Sequence, residues 1–335
     1  MANSGLFEIS VRRQKRSLLA GVLFFLGIGV VFLQAGLATP AISQENIVKL
    51  DVAVVERDPQ AFGKLTKEEF TVYEDGVKQE ISSLSAQESP FSLGIAIDSS
   101  GSMRAQLPLI ESAALNVIGQ IGPADEAFVA QFKVEPELIQ GFTNNQQALA
   151  KAVGSIYTSG ATALFDAIVA TSDYVKKNSK SRRKALLFIT DGLEKNSAVK
   201  EDKVINALIE SQAQAYFICL PIHVSPESLL FPGGKKPLEA RERLDRLAKA
   251  SGGQTFSLKA VDEAVTIATK LIGGLRRQYE ITYVSTNNKQ EDKLRKVKVV
   301  VNPKDGRKLN VITRQGHYGP GHQRAVELEE AKKKK

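Results

Sequence analysis

Two patterns of apolar residues take turns along the chain, and their order predicts its architecture. In residues 47–84 apolar and polar positions alternate with a period of two. Ile47-Val-Lys-Leu-Asp-Val-Ala-Val-Val55 and Phe70-Thr-Val-Tyr-Glu-Asp75-Gly76-Val-Lys-Gln-Glu-Ile81 are the clearest runs, and this spacing predicts half-buried strands. The Asp75-Gly76 pair between two such runs is a hairpin turn signal. Thr66 with Glu69 three residues on has the form of a capping box, so one helical turn is expected before Phe70.

From Ser92 short apolar runs alternate with amphipathic stretches. Strands are expected at Leu93–Ile97, Ala127–Phe132, Leu186–Thr190, Tyr216–Pro221 and Thr255–Leu258. Helices are expected at Leu107–Ile121, Gln146–Ile156, Ala163–Lys177, Val199–Gln214, Leu238–Ala250 and Asp262–Leu275. Such alternation predicts an α/β fold with a doubly wound, mostly parallel sheet. Ser251-Gly252-Gly253 ends one helix as a glycine cap does, and the proline-rich stretch His223 to Pro237 reads as a long loop. After Gly273-Gly274 strand patterns return at Gln278–Ser285, Arg295–Val301 and Leu309–Thr313, with turn residues from Asn302 to Gly306. Isolated hairpins are only marginally stable. The economical arrangement is therefore one small antiparallel β-sandwich made from both flanks (residues 45–90 and 276–318), with the α/β domain of residues 91–275 inserted.

Charge and targeting signals change the picture at the two ends. The 335 residues carry a formal charge of +8, but Arg12, Arg13, Lys15 and Arg16 near the start and Lys332 to Lys335 at the end supply most of it. The remainder is close to neutral, so no nucleic-acid partner is expected, because phosphate binding needs a basic face. The basic stretch precedes an apolar run from Leu18 to Leu33 and small residues up to Ala38. This is the form of a signal peptide over residues 1–38 with cleavage after Ala38. The run also approaches the roughly 20 residues needed to span a bilayer, so an uncleaved anchor is the competing reading. Either one predicts an exported protein, periplasmic or secreted, and the second gives it a membrane attachment. The polar tail of residues 319–335 is expected to fray. Cys219 is the single cysteine; no internal disulfide is expected, and its apolar setting predicts an inert core residue.

The candidate chemistry begins where the strand at Leu93–Ile97 ends. Asp98-Ser-Ser100-Gly-Ser102 places three hard oxygens on one loop, at the carboxyl edge of a parallel sheet where open α/β folds bind ligands. Gly101 is expected to let the backbone curl. Hard oxygens suit Mg²⁺, Mn²⁺ or Ca²⁺ better than zinc or copper. Ser159-Gly-Ala-Thr162-Ala-Leu164 and Phe188-Ile-Thr190-Asp191-Gly192 follow in order. Taken together, these three segments resemble the metal-ion-dependent adhesion site (MIDAS) of von Willebrand factor type A (VWA) domains. The likeness covers about residues 91–275. It implies that Asp98, Ser100, Ser102, Thr162 and Asp191 are metal ligands, the hydroxyls binding directly and the carboxylates largely through water. With its flanks, Asp75-Gly76 before and Arg277-Gln278-Tyr279 after, the layout also resembles exported bacterial VWA-related proteins. Thr162 is alternatively, or in addition, an N-cap for the helix that follows.

Other chemistries lack their parts. An aspartic-protease loop needs a second copy, which is absent. A serine nucleophile needs a histidine base, and His223, His317 and His322 are all far from Ser100 in sequence and read as exposed polar residues. Arg182-Arg183-Lys184 reads as a solvated edge. The resulting expectation is a binding protein, not an enzyme, whose divalent cation (Mg²⁺ first, Mn²⁺ or Ca²⁺ next) captures an acidic group on a protein or surface partner. A metal-independent scaffold of the cell envelope is the alternative, and a metal-assisted hydrolase is a third reading without a general base.

Overall fold

In the computed structural model, residues 46–55, 64–222, 236–289 and 291–322 are described. The expected leader, His223 and the tail from residue 323 lie outside them. Among the described residues no helix is long and apolar enough to cross a membrane.

The alternating flanks form strands as their pattern predicts: β1 (Ile47–Val55), β2 (Phe70–Glu74), β3 (Val77–Gln79) and β4 (Ile81–Ser85) before the central unit, and β11 (Tyr279–Val284), β12 (Leu294–Val301), β13 (Asn310–Ile312) and β14 (Gly316–Tyr318) after it. They assemble into two four-stranded sheets, in the orders β13-β1-β11-β4 and β14-β12-β2-β3, antiparallel throughout. Each sheet therefore mixes strands from both ends of the sequence. The register Leu50↔Ile281 places Val48, Leu50 and Val52 alongside Tyr279, Ile281 and Tyr283. These pack with Phe70, Val72, Val297 and Val299 of the other sheet into one buried cluster, as a β-sandwich requires. Asp75 (φ 47°) and Gly76 (φ 84°) make the β2–β3 turn, with the positive φ at both positions that type I′ hairpins need. The capping box is present: the Glu69 carboxylate accepts the Thr66 N–H at 2.8 Å.

Between the flanks lies a six-stranded sheet in the order β10-β9-β8-β5-β6-β7. Its strands are β5 (Phe91–Asp98), β6 (Glu126–Phe132), β7 (Pro136–Thr143), β8 (Arg183–Thr190), β9 (Ala213–Cys219) and β10 (Thr255–Ser257). All neighbours are parallel except β6 and β7. Helices α1 (Leu107–Ile118), α2 (Gln146–Gly154) and α6 (Glu263–Arg276) cover one face, and α3 (Leu164–Asn178), α4 (Glu201–Ser211) and α5 (Lys236–Ser251) cover the other. β5 is buried along its whole length, which explains its continuous apolar pattern.

Three expectations are corrected. The antiparallel edge strand β7 has no counterpart in the sequence reading, because a leading proline and a mixed polar pattern hide it. Arg183 is not on a solvated edge: it is buried, and its Nη1 donates to the carbonyls of Leu275 and Arg276 at 2.9 and 2.8 Å. His317 is buried as well, at 7 % exposure, within the sandwich.

Candidate metal centre

β5 and β8 are adjacent parallel strands, so their carboxyl ends deliver Asp98 and Asp191 to the same edge of the sheet. Both carboxylates are buried, at 0 and 4 % exposure. After Asp98 the chain turns through a short 3-10 segment, Gly101–Gln106, anchored by fully buried Met103. Asp98 Oδ1 accepts the Ser100 N–H at 3.0 Å and Oδ2 accepts the Thr190 hydroxyl at 2.8 Å. The Ser100 and Ser102 hydroxyls lie 3.1 Å apart.

Backbone hydrogen bonds join the second loop to the first. Gly101 N–H donates to the Gly160 carbonyl at 3.0 Å, and Ser159 N–H donates to the Ser99 carbonyl at 2.8 Å. Gly101 does not adopt the left-handed backbone; Gly160 (φ 73°) and Gly192 (φ 78°) do. A Cβ on Gly101 would stand at ordinary van der Waals distance, 3.4 Å, from the Gly160 carbonyl oxygen, so neither backbone conformation nor space requires a glycine there. The third loop is tied to the second where Lys195 and Asn196 N–H donate to the Thr162 carbonyl at 3.2 and 3.1 Å. Thr162 is buried at 1 % exposure, and it is not the N-cap of α3, a position held by Ala163. The structure thus draws the loops carrying all five sequence-predicted residues into one hydrogen-bonded unit.

The electrostatics of this edge are unbalanced. Burial, together with the nearby charge of Asp191, pushes the Asp98 carboxyl up to about 6 against hydrogen bonds from Ser100 and Thr190. Burial also raises Asp191, opposed by the Leu193 N–H and by Lys195. Among the described residues no ion pair forms to either carboxylate. Two buried acids without a paired cation are costly in the ionised state. Two carboxylates and three hydroxyls are all hard oxygen donors, a set that fits Mg²⁺, Mn²⁺ or Ca²⁺. Among the described residues there is no cluster of three or more His, Cys, Asp or Glu able to hold a metal, so the hydroxyls are needed to complete this set.

Several residues of the edge escape sequence reasoning. Thr190 reads as the end of an apolar strand, yet its hydroxyl also accepts the Gly192 N–H at 3.0 Å. Glu194 receives the Phe165 N–H at the start of α3 at 3.0 Å, which fixes the third loop against the helix. On the rim, Val134 (48 % exposed) and Tyr157 (61 % exposed) present apolar surface, with the Lys133 ammonium 4.2 Å from the Tyr157 ring centre. Glu194, Val134 and Tyr157 have no local motif, and Thr190 lies in the third quoted segment without being singled out there.

Residues 93–194 match the family described as von Willebrand factor type A domain. No curated protein matches the chain. Solved structures similar in fold include an aerotolerance-related membrane protein from Bacteroides fragilis, 18 % identical with a TM-score of 0.43, covering 55 % of this chain and 98 % of that one. A von Willebrand factor type A structure from Catenulispora acidiphila is 15 % identical with a TM-score of 0.46, covering 81 % of this chain and 75 % of that one. The domain of the type V pili tip protein Mfa5 from Porphyromonas gingivalis is 12 % identical with a TM-score of 0.46, covering 57 % and 98 %. The matched residues 93–194 lie within the mostly parallel six-stranded sheet and its two layers of helices, so the central unit of this chain is similar in sequence and in fold to a von Willebrand factor type A domain.

Proposed function

We propose that this protein is a metal-dependent binding protein whose cation captures an acidic group on a protein or surface partner. Asp98, Ser100, Ser102, Thr162 and Asp191 would hold one divalent cation, with Mg²⁺ preferred for its fit to hard oxygens. The observation that carries this reading is the meeting of two buried, unpaired carboxylates with a pair of hydroxyls 3.1 Å apart at one sheet edge. When bound, the ion supplies an electrophilic centre for a partner's carboxylate. The chain's own residues do the rest. Asp98 and Asp191 provide the negative charge that makes a dication welcome. Thr190 and the Ser100 N–H orient Asp98, and the bonds between loops hold the hydroxyls in place. Val134 and Tyr157 offer a partner apolar contact beside the charged centre, as the mixed character of protein interfaces requires.

Catalysis forms no part of this proposal. His317 bonds to Glu74 in the sandwich, and His322 stands beside Asp292 and Glu210, so neither serves Ser100 as a base. The basic and apolar N-terminal segment supports an exported location, where surface partners are found. Calorimetric titration of Mg²⁺ and Mn²⁺ into the wild type, Asp98→Ala and Asp191→Ala tests the site. Saturable binding confined to the wild type is expected, and an equal response of all three proteins removes it. Partner capture from an envelope fraction with and without EDTA separates this reading from a metal-independent scaffold, for which EDTA changes nothing.

A further inference from the structure

A cavity of about 720 Å³ lies at the junction of the α/β domain and the sandwich. Its walls include Arg182 and Gln212, which precede β8 and β9, so it opens at the amino edge of the central sheet. That is the opposite edge from Asp98 and Asp191, about 25 Å away along the eight residues of β8 at ~3.3 Å per residue. The volume falls within the roughly 300–1,000 Å³ usual for small-molecule sites.

Among the charged residues of the lining cations prevail: Lys49, Lys176, Arg182, Arg295 and Arg314, with Glu210 as the acid among them. Most have partners. Arg182 bonds Asp51 at 2.6 Å and also reaches Glu280, Lys176 pairs with Glu210 at 3.3 Å, and Arg295 faces Glu74 at 3.4 Å. Lys49 is only loosely held, 3.9 Å from a Glu280 already bound to Arg182. Arg314 differs from the rest. Its Nη2 donates to the Lys49 carbonyl at 2.8 Å, its Nε is buried without a hydrogen-bond partner, and among the described residues no carboxylate reaches ion-pair distance. Burial pushes its pKa down, yet a guanidinium does not give up its proton in a protein. The nearby Asp51 charge opposes that shift but is already bonded to Arg182, and the planar fork of a guanidinium matches a carboxylate or phosphate.

We propose that this cavity binds a small oxyanion-bearing ligand, a phosphate or carboxylate compound, with Arg314 as the anchoring charge and Lys49 and Lys176 at the mouth. The site is independent of the metal centre and needs no cation at the other edge. Its test is calorimetric titration of inorganic phosphate and, separately, of malonate into the full chain, at fixed ionic strength and in EDTA. Saturable binding of at least one anion is expected, and which one saturates identifies the headgroup. Arg314→Gln should weaken it at least tenfold. Lys176→Gln, a half-exposed mouth residue, should weaken it severalfold and keeps the test valid if Arg314→Gln does not fold. Lys270→Gln, on the exposed face of α6, should leave it unchanged. Absence of saturation by either anion overturns the proposal, as does affinity in the Lys176 and Arg314 variants equal to that of the wild type.

Discussion

The two ends of this molecule bury carboxylates to the same degree and treat them in opposite ways. In the sandwich, Glu74 is 2 % exposed and surrounded by donors. Tyr283 Oη donates to it at 2.8 Å, Ser285 Oγ donates at 2.6 Å, His317 Nε2 lies at 2.9 Å and Arg295 at 3.4 Å. Burial pushes its carboxyl up, but the bonds from His317, Ser285 and Tyr283 outweigh it and hold the group down at about 2. At the sheet edge, Asp98 has a hydroxyl and a backbone N–H but no paired cation, and its carboxyl stands at about 6. The lesson is that burial alone does not mark a functional acid. A buried carboxylate whose counter-charge is built into the fold is architecture. One whose counter-charge is missing from the fold is a candidate site.

Breaking the satisfied cluster should have the largest effect. Glu74→Ala leaves Arg295 buried without its partner, and a loss of about 3–5 kcal/mol in unfolding free energy is expected, measured by urea denaturation. Asp98→Ala in the metal-free protein should not cost stability on this scale, because it removes an unpaired charge.

Titration separates the two acids next. In the metal-free protein Asp98 has a folded value of about 6 against an ordinary 3.8. Between those pH values the folded chain holds a proton that the unfolded chain has released. Its contribution to stability is therefore full below pH 3.8 and is lost as pH rises through 6, by about 3 kcal/mol. Glu74, at about 2 against an ordinary 4.5, has the opposite sign: its contribution is full above pH 4.5 and is lost as pH falls toward 2. Metal-free unfolding curves should lose the first slope in Asp98→Asn and the second in Glu74→Gln.

Smaller changes sharpen the contrast. Tyr283→Phe removes one bond to the Glu74 carboxylate and should cost about 1.5–3 kcal/mol. Thr190→Val removes a donor to Asp98 and should raise its pKa further, at a stability cost of about 1 kcal/mol; NMR titration of the Asp98 carboxyl and thermal unfolding check the two parts.

The contrast also explains what was legible in the sequence. Asp98, Ser100 and Ser102 sit within five residues at the end of a continuous apolar run, so period and loop chemistry together expose them. Thr162 and Asp191 stand out only beside that first loop, through resemblance to a family. The strand alternation of the flanks announces a sandwich because its period of two survives in both segments. The Glu74 cluster gives no such signal. Its members, Tyr283, Ser285, Arg295 and His317, come from three strands and the residue after one of them, up to 243 residues away, and each looks like an ordinary polar position in its own segment. His317 reads as exposed because β14 is three residues long and too short to show a period. Arg183 is hidden because its burial is set by chain segments far away in sequence.

The central claim is that the charge missing at the sheet edge is a metal ion. Mg²⁺ titration calorimetry of the wild type at pH 5 and pH 8, each in two buffers of different ionisation enthalpy, tests it most directly. With Asp98 at about 6, saturable binding should release nearly one proton at pH 5 and almost none at pH 8. Binding that persists in Asp98→Asn, or no saturable heat from the wild type at either pH, would contradict it.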